Sequence, residues 1–281
     1  MLPLDFLVVF LGLSAALLWG AGDFSGGLAS KSVNVFVVVL IAQSVGILLL
    51  PILAYAFSEA FPPLEGIVWG GFAGLFAGIG LIVFYTALAK GKMGVVAPVS
   101  AIITVTVPVV YGTFNEGFPS FYQIAGFLFA VIGIWFVVSM NHETIPHLDD
   151  FKYPVLAGLC FGLFFICIDN FSETAIFWPL TVARISAIVI LISFFLFTKD
   201  IRIPEKSILP LIIFSGLANV TGTVAFSLAS QIGRLDVATV LSSLSTGVTV
   251  LLAWIILRQT LIRKQWFGVT MCLIAIILIS V

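Results

Sequence analysis

Asp23 and Asp169 are carboxylates set in sequence otherwise fit for a bilayer, one in each half of the chain. The run Phe6–Leu28 is long enough to cross a membrane, and its single charge, Asp23, lies in a glycine-rich stretch, Gly20–Gly27. A carboxylate in the middle of a membrane helix costs about 2.5–3.5 kcal/mol even on lenient insertion scales, so such residues usually face a cavity or a partner. Two chemistries suit Asp23: binding a cationic group, or carrying a proton through a protonation cycle. The structural alternative is a carboxyl held neutral by nearby backbone carbonyls. Asp169, with Asn170 beside it, stands in the matching place in the second half, and the same alternatives apply.

Arg184 is the one basic residue deep in an apolar run, and the local pattern Ala183-Arg184 parallels Ala42-Gln43. An unpaired guanidinium there is costly, so it is expected to meet a carboxylate, with Asp169 and Glu173 nearest in sequence. A structural ion pair and a substrate anchor are both open. Trp19, Tyr85, Asn219 and Thr223 are polar groups that either orient a substrate in a mainly apolar pocket or simply pack between helices.

The elements that position these residues follow from composition. Hydrophobic residues make up 61% of the 281, charged residues only 9%, and the net charge is −1, with a mean hydropathy of +1.25. Soluble proteins carry roughly 25% charged residues, so lipid is the solvent here. No basic patch points to nucleic acid. Cys160, Cys167 and Cys272 lie in apolar runs and read as small buried fillers. The beginning of the chain lacks a basic segment and reads as a retained span.

A crossing needs about 20 mainly apolar residues. Ten stretches qualify, at 6–28, 33–57, 66–89, 94–113, 119–140, 153–172, 179–198, 207–229, 235–257 and 264–281. Without water for the backbone these must be helices, since a barrel needs short alternating segments. Pro98 and Pro108 are expected to bend or break the fourth span. Gly66, Gly70, Gly74 and Gly78 line one face of the third and predict close helix packing.

A shift of 142 residues superposes Gly80 on Gly222, Phe84 on Phe226, Ser100 on Ser242, Gln123 on Gln265 and Gly126 on Gly268. Ten spans then divide into two fives, residues 1–140 and 153–281 joined by the loop 141–152. An odd number per repeat inverts the second copy, as in secondary transporters with a site near the midplane. The expected fold is an all-α integral membrane protein of ten transmembrane helices in two inverted five-helix repeats.

The stretches Trp19–Gly27 (WGAGDFSGG), Phe84–Ile102 (FYTALAKGKMGVVAPVSAI), Asn115–Gly117 and Leu241–Leu261 (LSSLSTGVTVLLAWIILRQTL) give the chain a resemblance to the EamA transporters of the drug/metabolite transporter superfamily. That resemblance implies two five-helix repeats around a central cavity and the movement of amino acids, drugs or other small metabolites. Two positions depart from it: Thr246 stands where a proline is common, and Gln259 where an acid is common.

The expected function is secondary active transport of a small organic solute by alternating access, with protons or another ion as the coupling species. The partners are that solute and membrane lipid. No cofactor, nucleic-acid partner or catalytic motif is expected, and the spacing in the loop 141–152 is wrong for a zinc helix. The alternatives are a membrane-embedded enzyme acting on a lipid-linked or small hydrophobic substrate, and a non-transporting scaffold or sensor. The expected location is the cell membrane, with both termini on one side. Ten of the twelve Lys and Arg fall after odd-numbered spans, which places both termini outside the cytoplasm. The family resemblance implies termini inside.

Overall fold

The computed structural model describes residues 4–30, 32–90, 93–115, 117–138, 149–198, 205–257 and 263–279. Among them the chain is helical, with no strand. The helices are α1 (Leu4–Ala29), α2 (Val35–Ala56), α3 (Leu64–Lys90), α4 (Met93–Asn115), α5 (Phe121–Val138), α6 (Asp149–Ser172), α7 (Phe177–Thr198), α8 (Leu209–Ile232), α9 (Leu235–Ser243), α10 (Ser245–Leu257) and α11 (Arg263–Ile279). Five of them, α1, α2, α3, α6 and α8, contain segments long and apolar enough to cross a membrane, while α4, α5 and α7 carry shorter apolar stretches. Leucines and aromatics such as Leu17, Leu48, Phe72 and Leu128 stay exposed on the outside. In lipid that exposure is the expected state, because the bilayer is as apolar as the side chains.

The two prolines of the fourth run do not break it, since α4 continues through Pro98 and Pro108. The interruption falls in the ninth run instead. There Leu244 turns between α9 and α10, its N–H bonding Leu241 O at 3.3 Å, a tighter reach than the usual helical bond four residues back.

Small residues set how the helices meet. The glycine stripe of α3 lies directly on α7: a Cβ at Gly70 would meet Pro179 O, one at Gly74 would meet Ala183 O, and one at Gly78 would come within 3.4 Å of Ala187 Cα. This is the close approach that glycines permit where no hydrophobic drive separates helix from lipid. The contact at Gly74 has a counterpart in the other half, where a Cβ at Gly216 on α8 would lie 2.7 Å from Ala42 O on α2. A second reciprocal pair joins α1 to α8 and α6 to α3. A Cβ at Gly222 would lie 2.6 Å from Trp19 Cδ1 and 3.2 Å from Leu18 Cβ, and one at Gly80 would lie 2.9 Å from Phe161 Cε1 and 3.2 Å from Cys160 Cβ.

Polar contacts tie one end of the bundle together. After α2, Glu59 reaches the start of α7 and accepts from the backbone N–H groups of Ile176 (2.8 Å), Phe177 (3.1 Å) and Trp178 (2.9 Å). A helix start leaves four N–H groups without internal partners and favours negative charge, so one carboxylate caps it well. The Trp178 indole N–H donates back to Glu59 O at 3.3 Å, and Phe57 stacks on Phe177 at 5.4 Å. Nearby, Arg234 pairs with Asp236 at 2.8 Å and donates to Gly117 O at 2.9 Å, which links the start of α9 to the turn after α4. Gly117 takes φ +85° there, a conformation that glycine adopts without strain.

Candidate functional site

The site is set by the two alanine–glycine contacts. Ala183 rests on Gly74 and Ala42 rests on Gly216, so the next residues, Arg184 and Gln43, come from opposite halves to the same point. Arg184 is 6% exposed, and its Nη1 donates to Gln43 Oε1. The same Nη1 reaches Asn219 Oδ1 at 3.1 Å, and Nη2 reaches Thr223 Oγ1 at 2.9 Å. Gly46, one turn from Gln43 on α2, leaves room for the arginine stem, because a Cβ there would meet Arg184 Cγ at 3.0 Å.

Trp19 joins the cluster from α1. Its indole N–H lies 3.2 Å from Asn219 O and 3.3 Å from Thr223 Oγ1, while its ring stacks on Phe165 and tilts against Phe226, both at 5.6 Å. The Thr223 hydroxyl donates to Asn219 O at 2.8 Å, so it accepts from Arg184 and Trp19 while giving up its own proton. Four helices, α1, α2, α7 and α8, therefore meet at one hydrogen-bonded group with an aromatic wall.

The expectation that Arg184 meets Asp169 or Glu173 is not met. Its protein acceptors are two amides and a hydroxyl, all neutral. Asp169 lies near the end of α6, half-buried, and accepts from Ser230 Oγ on α8. Asn170 donates to Tyr111 OH at 3.2 Å and to Ile166 O at 2.8 Å. Asp169 and Asn170 thus belong to the clamped end, apart from the central cluster. Proximity in sequence misleads here because Arg184 sits on the next helix, pointing toward α2 and α8.

Asp23 is one turn beyond Trp19 on α1. At about 100° per residue it points within about 40° of buried Trp19 and about 120° away from lipid-facing Leu17. It is nonetheless exposed to a water-sized probe. A side chain on the inward face that water can still reach lines a space between helices. One turn further, a Cβ at Gly27 would meet nothing within 4 Å, so the same face stays open toward the end of α1. The Asp23 carboxylate has no hydrogen bond or ion pair with another described residue. Gly22 beside it packs on Ser215 O and Asn219 N, at 3.2 and 3.4 Å from a Cβ, which holds α1 close to the cluster. Tyr85 lies in α3 with its side chain outside the described part, and most of the loop 141–152 also lies outside it.

Sequence reading named Asn219 and Thr223 but missed that Ser215, Ser227 and Ser230 continue them as one polar stripe along the inner face of α8, buried at every position but the half-buried Asn219. Its spacing of three or four residues was the available signal. Ser227 Oγ is one of two buried polar side-chain atoms among the described residues without a partner, the other being Thr239 Oγ1. A groove of about 300 Å³ between α4 and α5, lined by Val105, Val109, Phe127 and Leu128, is apolar and takes no part in the cluster.

Apolar helices wrapped around a buried cation, amides and hydroxyls define a multi-pass membrane protein with an internal polar site. The chain belongs to the EamA-like transporter family, whose model matches residues 6–139 and 153–281, within the drug/metabolite transporter superfamily. Over 100 residues it is 31% identical to an uncharacterized protein of Methanocaldococcus jannaschii, covering 36% of this chain and 73% of that one. A solved crystal structure superposes with a TM-score of 0.81 at 13% identity, over 96% of this chain and 95% of its own, which is a likeness of fold. The protein is thus a membrane transporter, and the enzyme alternative is not favoured.

Proposed function

We propose that the protein is a secondary active transporter that carries a small organic solute by alternating access. Its two inverted five-helix repeats are residues 1–140 and 153–281, with 141–152 as the connection. The observation that carries this reading is the central cluster. Arg184 is buried at the meeting of the two halves, held by Gln43 from one and by Asn219 and Thr223 from the other, with no carboxylate among its partners in the described residues. Trp19, Gln43, Arg184, Asn219 and Thr223 form the solute site, and Asp23 stands on the wall of the approach to it.

Reciprocal contacts support the symmetry. Trp19 on Gly222 pairs with Phe161 on Gly80, and Ala42 on Gly216 pairs with Ala183 on Gly74. Contacts that exchange in this way are the mark of a two-fold relation, and with five spans per repeat its axis lies in the membrane plane. One end is clamped by Glu59 and Arg234, while Asp23 and Gly27 open toward the other. That asymmetry fits one of two alternating states. The open end carries most of the Lys and Arg and faces the cytoplasm of a cell membrane by the positive-inside rule. No nucleotide-binding motif is present in the sequence, so the energy source is an ion or solute gradient, with protons through Asp23 as the candidate.

Uptake by reconstituted vesicles under an imposed proton gradient, across a panel of neutral, anionic and cationic solutes, tests the reading. Saturable accumulation of one solute class supports it. Vesicles containing folded protein that accumulate none of them would reject it.

A further inference from the structure

Arg184 carries a full positive charge into the bundle, yet each of its protein partners is neutral. Amides and hydroxyls orient a guanidinium but do not cancel its charge, and a buried charge without a counter-charge is strongly unfavourable. The geometry of the partners shows which part remains available. Asn219 and Thr223, one turn apart on α8, take one proton each from Nη1 and Nη2, and Gln43 takes the second from Nη1. Of the five guanidinium N–H groups, Nε–H and one on Nη2 have no acceptor among the described residues. These two nitrogens form one edge of the fork that grips a carboxylate through two parallel N–H···O bonds.

We propose that this edge binds the carboxylate of the transported solute, so that the substrate is an organic monocarboxylate and itself supplies the missing counter-charge. The inference rests on the transport reading and names the class of solute that it moves. Trp19, Phe165 and Phe226 crowd the same place with ring centroids 4.6–5.6 Å apart. An apolar or aromatic body suits that wall, whereas a second charge would have to sit against it.

Melting temperature in detergent and low-salt buffer is the test, with acetate, benzoate and phenylacetate as probes against acetamide, benzamide and phenylacetamide. At saturation at least one carboxylate raises the midpoint by about 2–4 °C or more, and its amide does not. Arg184→Gln removes the guanidinium and its charge from Gln43, Asn219 and Thr223, so the carboxylate response disappears. Arg184→Lys keeps the charge but not the fork and responds more weakly than the wild type. No response to any of the three carboxylates, an equal response to the amides, or a full response in Arg184→Gln would overturn the proposal. Uptake of a neutral or cationic solute that Arg184→Gln leaves intact would sink the carboxylate site while transport stands. A carboxylate response in protein that moves no solute across vesicles would do the reverse.

Discussion

Arg184 and Gln43 meet at the centre of the bundle, each directly following an alanine that rests on a glycine, Ala183 on Gly74 and Ala42 on Gly216. The glycines set the height of α7 on α3 and of α2 on α8, and those heights bring the two side chains together. The meeting of the two side chains thus depends on positions that carry no chemistry of their own.

Gly74→Ala and Gly216→Ala should therefore each damage the site from outside it. A new Cβ meets a backbone carbonyl in both cases, so the helices must part. Overpacking of this kind costs about 1–3 kcal/mol. Both variants should melt below the wild type by similar amounts, because the contacts are counterparts. A neutral result for either would contradict the packing account.

Much of this was legible in the chain before folding. The apolar runs set the helices, the α3 glycines foretold close packing, and the parallel of Ala42-Gln43 with Ala183-Arg184 marked two residues that bond to each other. What was not legible was tertiary. The charge rule demands a partner for Arg184 but does not say whether neutral acceptors from two other helices will serve. Glu59 reads as an ordinary loop acid, because the helix it caps begins far along the chain at Phe177. Asp236 falls at the start of the ninth run without a stated role, and it is fully buried, its Oδ1 accepting from Val237 N–H at 2.7 Å.

Glu59→Ala removes acceptors from the Ile176, Phe177 and Trp178 N–H groups. Loss of a helix cap costs about 0.5–2 kcal/mol, so the variant should melt lower. The clamped end should also open more readily, read as faster labelling of a cysteine introduced at Ser172, which is fully buried at the end of α6. Unchanged stability together with unchanged labelling would show that the cap is incidental.

Asp23→Asn should leave folding untouched. The carboxylate has no partner to lose among the described residues, and substitutions of that kind stay within about 0.5 kcal/mol. The variant should insert, purify and melt like the wild type while gradient-driven uptake is lost, because the titratable proton and the negative charge are gone. Exchange without a gradient should survive if Asp23 serves coupling alone. Unimpaired, pH-dependent uptake in Asp23→Asn would show the residue to be dispensable and shift attention to Asp169.

The proposed orientation rests on the Lys and Arg bias, which predicts both termini outside the cytoplasm. A reporter active only in the cytoplasm, fused after Val281, should stay silent. Strong activity from that fusion would reverse the assignment and with it the side to which Asp23 opens.

The central claim, one solute site between two halves that opens to each side in turn, is tested most directly by counterflow. Vesicles loaded with unlabelled solute are diluted into a trace of the same labelled solute, with no ion gradient. A carrier predicts transient accumulation of label above its equilibrium level, saturable in the loaded solute and lost when the Trp19–Arg184–Asn219 cluster is disrupted by Asn219→Leu. Label that only equilibrates, at a rate indifferent to solute on the far side, would mean a passive pore and would contradict the account.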